Sequence, residues 1–272
     1  MNYGLCTSMF AEERLNSHIL DKILAVGLRD LEIMAARQHL DYHDLNQVRD
    51  VAHWFSDHAV NLHSLHAPLF NDWNWGRSGG LLISVANLER RARIASMDEI
   101  KRALEVAEHL PFRYLVLHLG VPDEEYDLKK FDAAFTSLEH LNIFAKERGT
   151  EILLENIPSG LSTPERMLTF FQYTRLDLKV CFDTGHAHMT GGVQSAFHTL
   201  RQRIAAIHLH DNHGEKDEHL LPFEGEIDWA QTIRDFRSAD PQVPIFFELN
   251  SERHEPDVLG RLPEVMARLE AF

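Results

Sequence analysis

The chain has 272 residues and a mass of 31.4 kDa, enough for one α/β barrel or two smaller domains. Hydrophobic residues at 44% and charged residues at 25% are those of an ordinary globular protein, which excludes a disordered tail or a fibrous repeat. Lys plus Arg is 27 against 42 for Asp plus Glu; the net charge of −15 disfavours a nucleic-acid partner, and 18 His make histidine placement the question to ask.

Eight β-like runs alternate with helical periodicity. The first, Tyr3–Thr7, lies in the opening MNYGLCTSMFAEERL, which has no basic flank leading into an apolar stretch, so no signal peptide is expected. Leu28–Met34 and Asn61–His66 are the second and third runs. After His66 comes an unusually long connection, APLFNDWNWGRSGGLLISVA, which reads either as a lid or binding loop or as a surface excursion packed by its own aromatics. A helix is expected over 97–110, where Met97, Ile100, Ala103, Leu104, Ala107 and Leu110 recur at helical spacing, with Ser96–Glu99 as its capping box.

Arg113–Leu119 is the fourth run, and a helix over 131–145 follows on Phe131, Ala134, Phe135, Leu138, Leu141 and Ala145. Glu151–Asn156 precedes Thr163-Pro164, an N-cap with proline at the first helical position. Leu178–Asp183 and Ala205–His210 come next, then an Asp228–Gln231 capping box, then Val243–Leu249. The runs YLVLHL, EILLEN and PIFFEL are continuously apolar apart from their ends, as in parallel strands covered on both faces. With no Gly/Ser/Pro-rich linker, residues 1–272 read as a single (β/α)8 TIM barrel. A doubly wound open sheet is the alternative, but the first turn, GLCTSMF, lacks its glycines. No apolar run is long enough for a membrane helix, and Cys6 and Cys181 alone point to a reducing cytoplasm.

Acidic and imidazole side chains fall at the C-terminal ends of these runs, where barrel active sites are built. His66 ends the third, His118 the fourth, Glu155 the fifth and Asp183 the sixth; His208 and Glu248 sit near the ends of the seventh and eighth. His186, Asp217 and His219 follow closely. A carboxylate in a strand such as ILLEN is costly unless paired or metal-bound, and packing alone rarely repeats it strand after strand. The set therefore reads as a divalent-metal site, with Glu155, Asp183, His208 and Glu248 as one four-ligand cluster suited to Mn²⁺ or Zn²⁺.

LVLHLG, ILLENIPSG, VCFDTGHAHMTGG, IHLHDNHGEKDEHLLPFEGEIDW and PIFFELN closely resemble the xylose-isomerase-like barrel superfamily, and the segment from His208 to Trp229 its sugar phosphate isomerase/epimerase branch. The resemblance implies one divalent metal held by Glu155, Asp183, His208 and Glu248. The related endonuclease IV class binds three zinc ions, and His66, His118, His186, Asp217 and His219 stand where its further ligands would be. Against that class, its His-Pro-Gly is His118-Leu119-Gly120 here and its opening Gly-Ala-His is missing.

The favoured function is metal-dependent isomerisation or epimerisation of a sugar or related polyol ketone through an enediolate, with Glu155 and Glu248 as the acid/base pair. His186, Trp73 and Trp75 are the substrate-binding candidates, a structural role for either Trp being the alternative. A dehydratase of the same family and a multi-zinc phosphodiesterase are the competing activities. Lys216, Arg253 and His254 stand among Glu215, Asp217, Glu218 and Glu252, which favours an unphosphorylated substrate. Glu32 reads as a substrate contact or a structural ion pair, and His188, His210 and His213 as loop or ligand-orienting residues. The expected partner is a small carbohydrate, not nucleic acid or membrane, and a homo-oligomer is the assembly carried forward.

Overall fold

Eight strands pair in parallel and in chain order, and β1 returns to β8, closing the sheet into a barrel. The computed structural model describes residues 1–239, 242–250 and 257–272. The strands are β1 (Tyr3–Cys6), β2 (Asp30–Met34), β3 (Asn61–His66), β4 (Tyr114–His118), β5 (Glu151–Glu155), β6 (Lys179–Asp183), β7 (Ile204–Leu209) and β8 (Ile245–Phe247). Around them lie α1 (Ser17–Ala25), α2 (Leu45–Asp57), α3 (Arg90–Glu105), α4 (Leu128–Lys146), α5 (Pro164–Tyr173), α6 (Thr184–Met189), α7 (Val193–Leu200), α8 (Trp229–Ser238) and α9 (Val258–Glu270). The open-sheet alternative is excluded by the β1–β8 pairing. Among the described residues, no helix is long and apolar enough to cross a membrane.

Two apolar layers hold the barrel. A large cluster packs the outward faces of the strands against the helices, including Leu31, Leu115, Leu154, Phe182 and Phe247. A smaller one, Tyr114, Val116, Leu153, Cys181, Ala206 and Phe246, fills the interior. His63 closes that interior from below, its ring 4.9 Å from Phe246 and 5.0 Å from Tyr114 between centroids. The barrel is thus plugged beneath its C-terminal mouth, and polar side chains at the strand ends stand on an apolar floor.

Thr163 and Asp228 cap α5 and α8 as their sequence predicts, accepting from Arg166 N at 3.3 Å and Gln231 N at 3.0 Å. The Ser96 capping box is a misreading. Helix α3 begins at Arg90, with Glu89 as N-cap accepting from Arg91 N at 2.8 Å and Ala92 N at 2.5 Å. Its opening turns are polar and largely exposed, so the apolar stripe that marks a helix appears only near Met97. Ser96 is buried inside the helix, and its hydroxyl accepts from Ser84 N at 3.1 Å, anchoring the end of the long connection. That connection has an internal frame: Phe70 pairs antiparallel with Leu82, and the Asp72 carboxylate accepts from the backbone of Gly76, Ser78 and Gly80.

His39 fixes the first loop to the barrel. Its Nδ1 lies 2.6 Å from Glu13 O and its Nε2 2.9 Å from Thr7 Oγ1, whose oxygen also accepts from Met34 N. Burial pushes its pKa down to about 4, so the folded chain refuses a proton there that the unfolded chain takes up below about pH 6.5. Stability from this site is full above that pH and is lost as pH falls toward 4, by up to about 3 kcal/mol. Urea unfolding at pH 7 and pH 5 should show the advantage of wild type over His39→Gln shrinking by about 2 kcal/mol at the lower pH; a constant difference would refute the assignment.

Candidate metal centre at the barrel mouth

Register brings the candidates together. His118 of β4 is aligned with Glu155 of β5, and Asp183 of β6 with His208 of β7. Glu155, Asp183, His208 and Glu248 each offer a ligand atom within 4.8 Å of the others, all buried. His66, His118 and Glu155 form a second such group, and His186, His210, Asp217 and His219 a third. Every metal candidate read from the sequence therefore lies in one of three adjoining groups. His210 is the member that sequence reasoning set aside as ligand-orienting. The signal for it was strand alternation, which points positions 208 and 210 the same way.

Glu155 is the junction. One oxygen lies 3.2 Å from both His66 Nε2 and His118 Nε2; the other lies 3.3 Å from His208 Nδ1 and from His186 Nδ1. Burial raises its pKa, and the surrounding imidazoles, His208 and His118 foremost, more than reverse this and hold it well below the usual carboxylate range. Glu248 behaves alike, burial opposed chiefly by His208, whose Nδ1 is 3.0 Å away. Burial would lower the pKa of His66, but its bond to Glu155 lifts it to about 9, and Asp217 likewise lifts His219 to about 9. Cys6 faces Glu32 and Glu248, and burial with those carboxylates keeps its thiol protonated.

Asp183 serves twice. One oxygen caps α6 by accepting from His186 N at 2.6 Å, and the other lies 3.0 Å from His210 Nε2. Asn156, immediately after β5, clamps its backbone, donating to Asp183 O and accepting from Asp183 N, both at 2.9 Å. Gly185 is required here, because a Cβ would fall within the His210 ring. That ring in turn stacks on His219 at 3.9 Å.

The loop carrying Asp217 and His219 is tied down by Asp211, which is fully buried. Its carboxylate accepts from Asn212 N, Phe223 N, Ile227 N and Trp229 Nε1, the last at 2.7 Å. His188, in α6, meets Asn212 of that loop at 2.9 Å, and His213 within the loop meets Glu218 at 2.6 Å.

Above these candidate groups is a cavity of about 380 Å³, within the size range of small-molecule sites. His66, His118, Glu155, His186, Asp217, His219 and Glu248 line its polar side, and Met34, Phe70, Trp75 and Ile157 its apolar side. Trp75 and Arg77 reach it from the long connection, and Arg77 pairs with Glu12 at the rim. Trp73 does not line it; half exposed, it lies beneath the Arg37 guanidinium at 5.7 Å. Glu32 is also outside the lining and is an ion-pair partner of His208. Glu252, Arg253 and His254 fall outside the described residues.

The chain belongs to the xylose isomerase-like TIM barrel family, whose profile matches residues 20–269. A probable endonuclease 4 of Haloarcula marismortui is 25% identical over 237 residues, 79% of this chain and 78% of that one. Among solved structures, a D-tagatose 3-epimerase-like protein superposes with a TM-score of 0.81 at 24% identity, covering 100% of this chain and 99% of the other. The IOLI protein with a bound zinc atom superposes at 0.79 and 16% identity, covering 100% and 97%. These two structural likenesses establish the shared barrel.

The Asp211 bonds predict a specific mobility. Asp211→Ala should leave the 212–228 segment opening locally, with tryptic cleavage after Lys216 accelerated by about tenfold or more while the barrel still unfolds cooperatively. Unchanged cleavage would show that the loop is held by its other contacts.

Proposed function

We propose that the protein is a divalent-metal-dependent isomerase or epimerase of a small, unphosphorylated carbohydrate or polyol ketone. The observation that carries this reading is the pair of buried, ionised carboxylates, Glu155 and Glu248, converging with Asp183 and His208 at the floor of a monosaccharide-sized cavity. The donor set fits a cation. Among the described residues, no Lys or Arg answers these three carboxylates, and His186 Nδ1 and His210 Nδ1 are buried without a hydrogen-bond partner. Acceptor-rich, donor-poor and shielded from water, such a group is stabilised by Mn²⁺ or Zn²⁺, held by Glu155, Asp183, His208 and Glu248. The zinc atom in the IOLI structure supports a divalent ion in a barrel of this shape.

When bound, the ion supplies the positive charge that stabilises an enediolate. Glu155 and Glu248 move the protons. They approach from different strand ends and both are ionised in the metal-free protein, so either can take the carbon-bound proton. The acid so formed can return it, and delivery to the opposite face needs the other glutamate to enter the turnover protonated. His66 and His118 on Glu155 provide donors for the carboxyl when it releases or regains a proton. His186, 3.1 Å from Asp217, is placed to hold a substrate hydroxyl, and Trp75 offers an apolar face to the sugar ring.

A second reading, phosphodiester hydrolysis by up to three metal ions, is favoured by three adjoining ligand groups: Glu155 belongs to two of them and lies 3.3 Å from His186 Nδ1 of the third. The net charge of −15 and the acidic 211–228 loop oppose a DNA backbone as substrate. Incubation of the Mn²⁺-loaded protein with ketohexoses and inososes in deuterated water should exchange a carbon-bound proton. Glu155→Gln and Glu248→Gln should each reduce that exchange about 10²–10⁴-fold. Cleavage of abasic duplex DNA, abolished by Glu248→Gln and unaccompanied by sugar exchange, would replace the first reading with the second.

A further inference from the structure

Glu32 is a fully buried carboxylate inside the barrel, below the cavity and outside its lining. A charge in that position persists only when it is paired. Its Oε2 accepts from Ser64 Oγ at 2.6 Å. Its Oε1 lies at ion-pair distance, 2.9 Å, from His208 Nε2, and neither of these two buried atoms makes a hydrogen bond in the metal-free protein. His208 is itself fully buried and presents its opposite nitrogen, Nδ1, to Glu155 at 3.3 Å and Glu248 at 3.0 Å.

The two faces of this imidazole are therefore assigned to different tasks. A neutral imidazole that ligates through Nδ1 must carry its proton on Nε2. An anionic acceptor confined to the Nε2 side selects that tautomer, fixes the ring plane and increases the basicity of Nδ1. Ser64, donating to the far oxygen, holds the carboxylate so that its free oxygen faces the ring.

We propose that Glu32, oriented by Ser64, is the positioning residue that makes His208 Nδ1 a metal ligand. This rests on the divalent ion assigned to Glu155, Asp183, His208 and Glu248, and is independent of which reaction that ion serves. Glu32 meets neither ion nor substrate. It acts through His208, from the opposite side of the ring to the other ligands.

The test is Zn²⁺ affinity, by competition with a chromogenic chelator, for wild type, Glu32→Gln and Ser64→Ala, alongside thermal unfolding of each metal-free protein. Glu32→Gln should bind Zn²⁺ about 10–100-fold more weakly, and Ser64→Ala more weakly by a smaller factor. In the Zn²⁺-loaded wild type, the His208 ring nitrogens should show the Nε2–H tautomer by ¹⁵N NMR, with the Nε2 proton shifted upfield in Glu32→Gln as its charged acceptor is lost. Wild-type Zn²⁺ affinity in both variants, whatever their melting temperatures, overturns the proposal, because a merely structural carboxylate would change melting alone. Should Glu32→Gln fail to fold, Ser64→Ala decides by the same criterion. Failure of wild type itself to bind Zn²⁺ or Mn²⁺ would overturn the metal assignment, and this proposal with it.

Discussion

At the mouth of this barrel, carboxylates, Glu155 and Asp183 fully buried among them, are answered by imidazoles instead of by lysine or arginine. Glu155 meets His66, His118, His186 and His208; Asp183 meets His186, His208 and His210; Asp217 meets His186, His210 and His219. A lysine would occupy each site with a permanent charge. An imidazole can give up its proton and become a ligand, so the same contacts that satisfy the acids in the bare protein can release them to a cation. This interchangeability explains both the heavy histidine content and the tolerance of so much acid in a low-dielectric position.

Much of the surrounding structure keeps that array in register. Asp183 caps α6 with the oxygen it turns away from His210, and Asn156 locks the strand end from which it projects. Asp211 gathers four donors so that a long excursion returns Asp217 and His219 to the mouth. Asp183, Asn156 and Asp211 do not line the cavity at the mouth, yet they set the positions of residues that do. The apolar plug of Phe246, Tyr114 and Val116 beneath them limits water from below and gives the polar layer a rigid base.

The barrel was legible because parallel strands buried on both faces are near-continuous apolar runs, and YLVLHL and PIFFEL show little else. The acidic and imidazole candidates were legible for the complementary reason: Glu155 and Asp183 interrupt such runs at one end. Helix starts were harder. The Glu89 cap was hidden because the first turns of α3 face solvent and carry no apolar stripe, leaving Ser96 as a decoy. Trp73 and Trp75 are two residues apart and chemically identical, and only the path of the loop separates the cavity wall from the surface. Glu32 posed a choice between substrate and ion pair that depends on how far below the mouth it sits, a depth that sequence does not encode.

The strand-by-strand delivery of ligands has a consequence for how the chain folds. Positions 66, 118, 155, 183, 208 and 248 are far apart in sequence and become neighbours only when consecutive strands have paired, the last by closure of β8 onto β1. No short fragment contains the four-ligand cluster, so an unfolded or half-assembled chain has little with which to capture a cation. The array is thus a high-contact-order feature, complete only when β5 to β8 have all paired. A cation that bound only the finished array would therefore stabilise the native chain without holding its unfolded form.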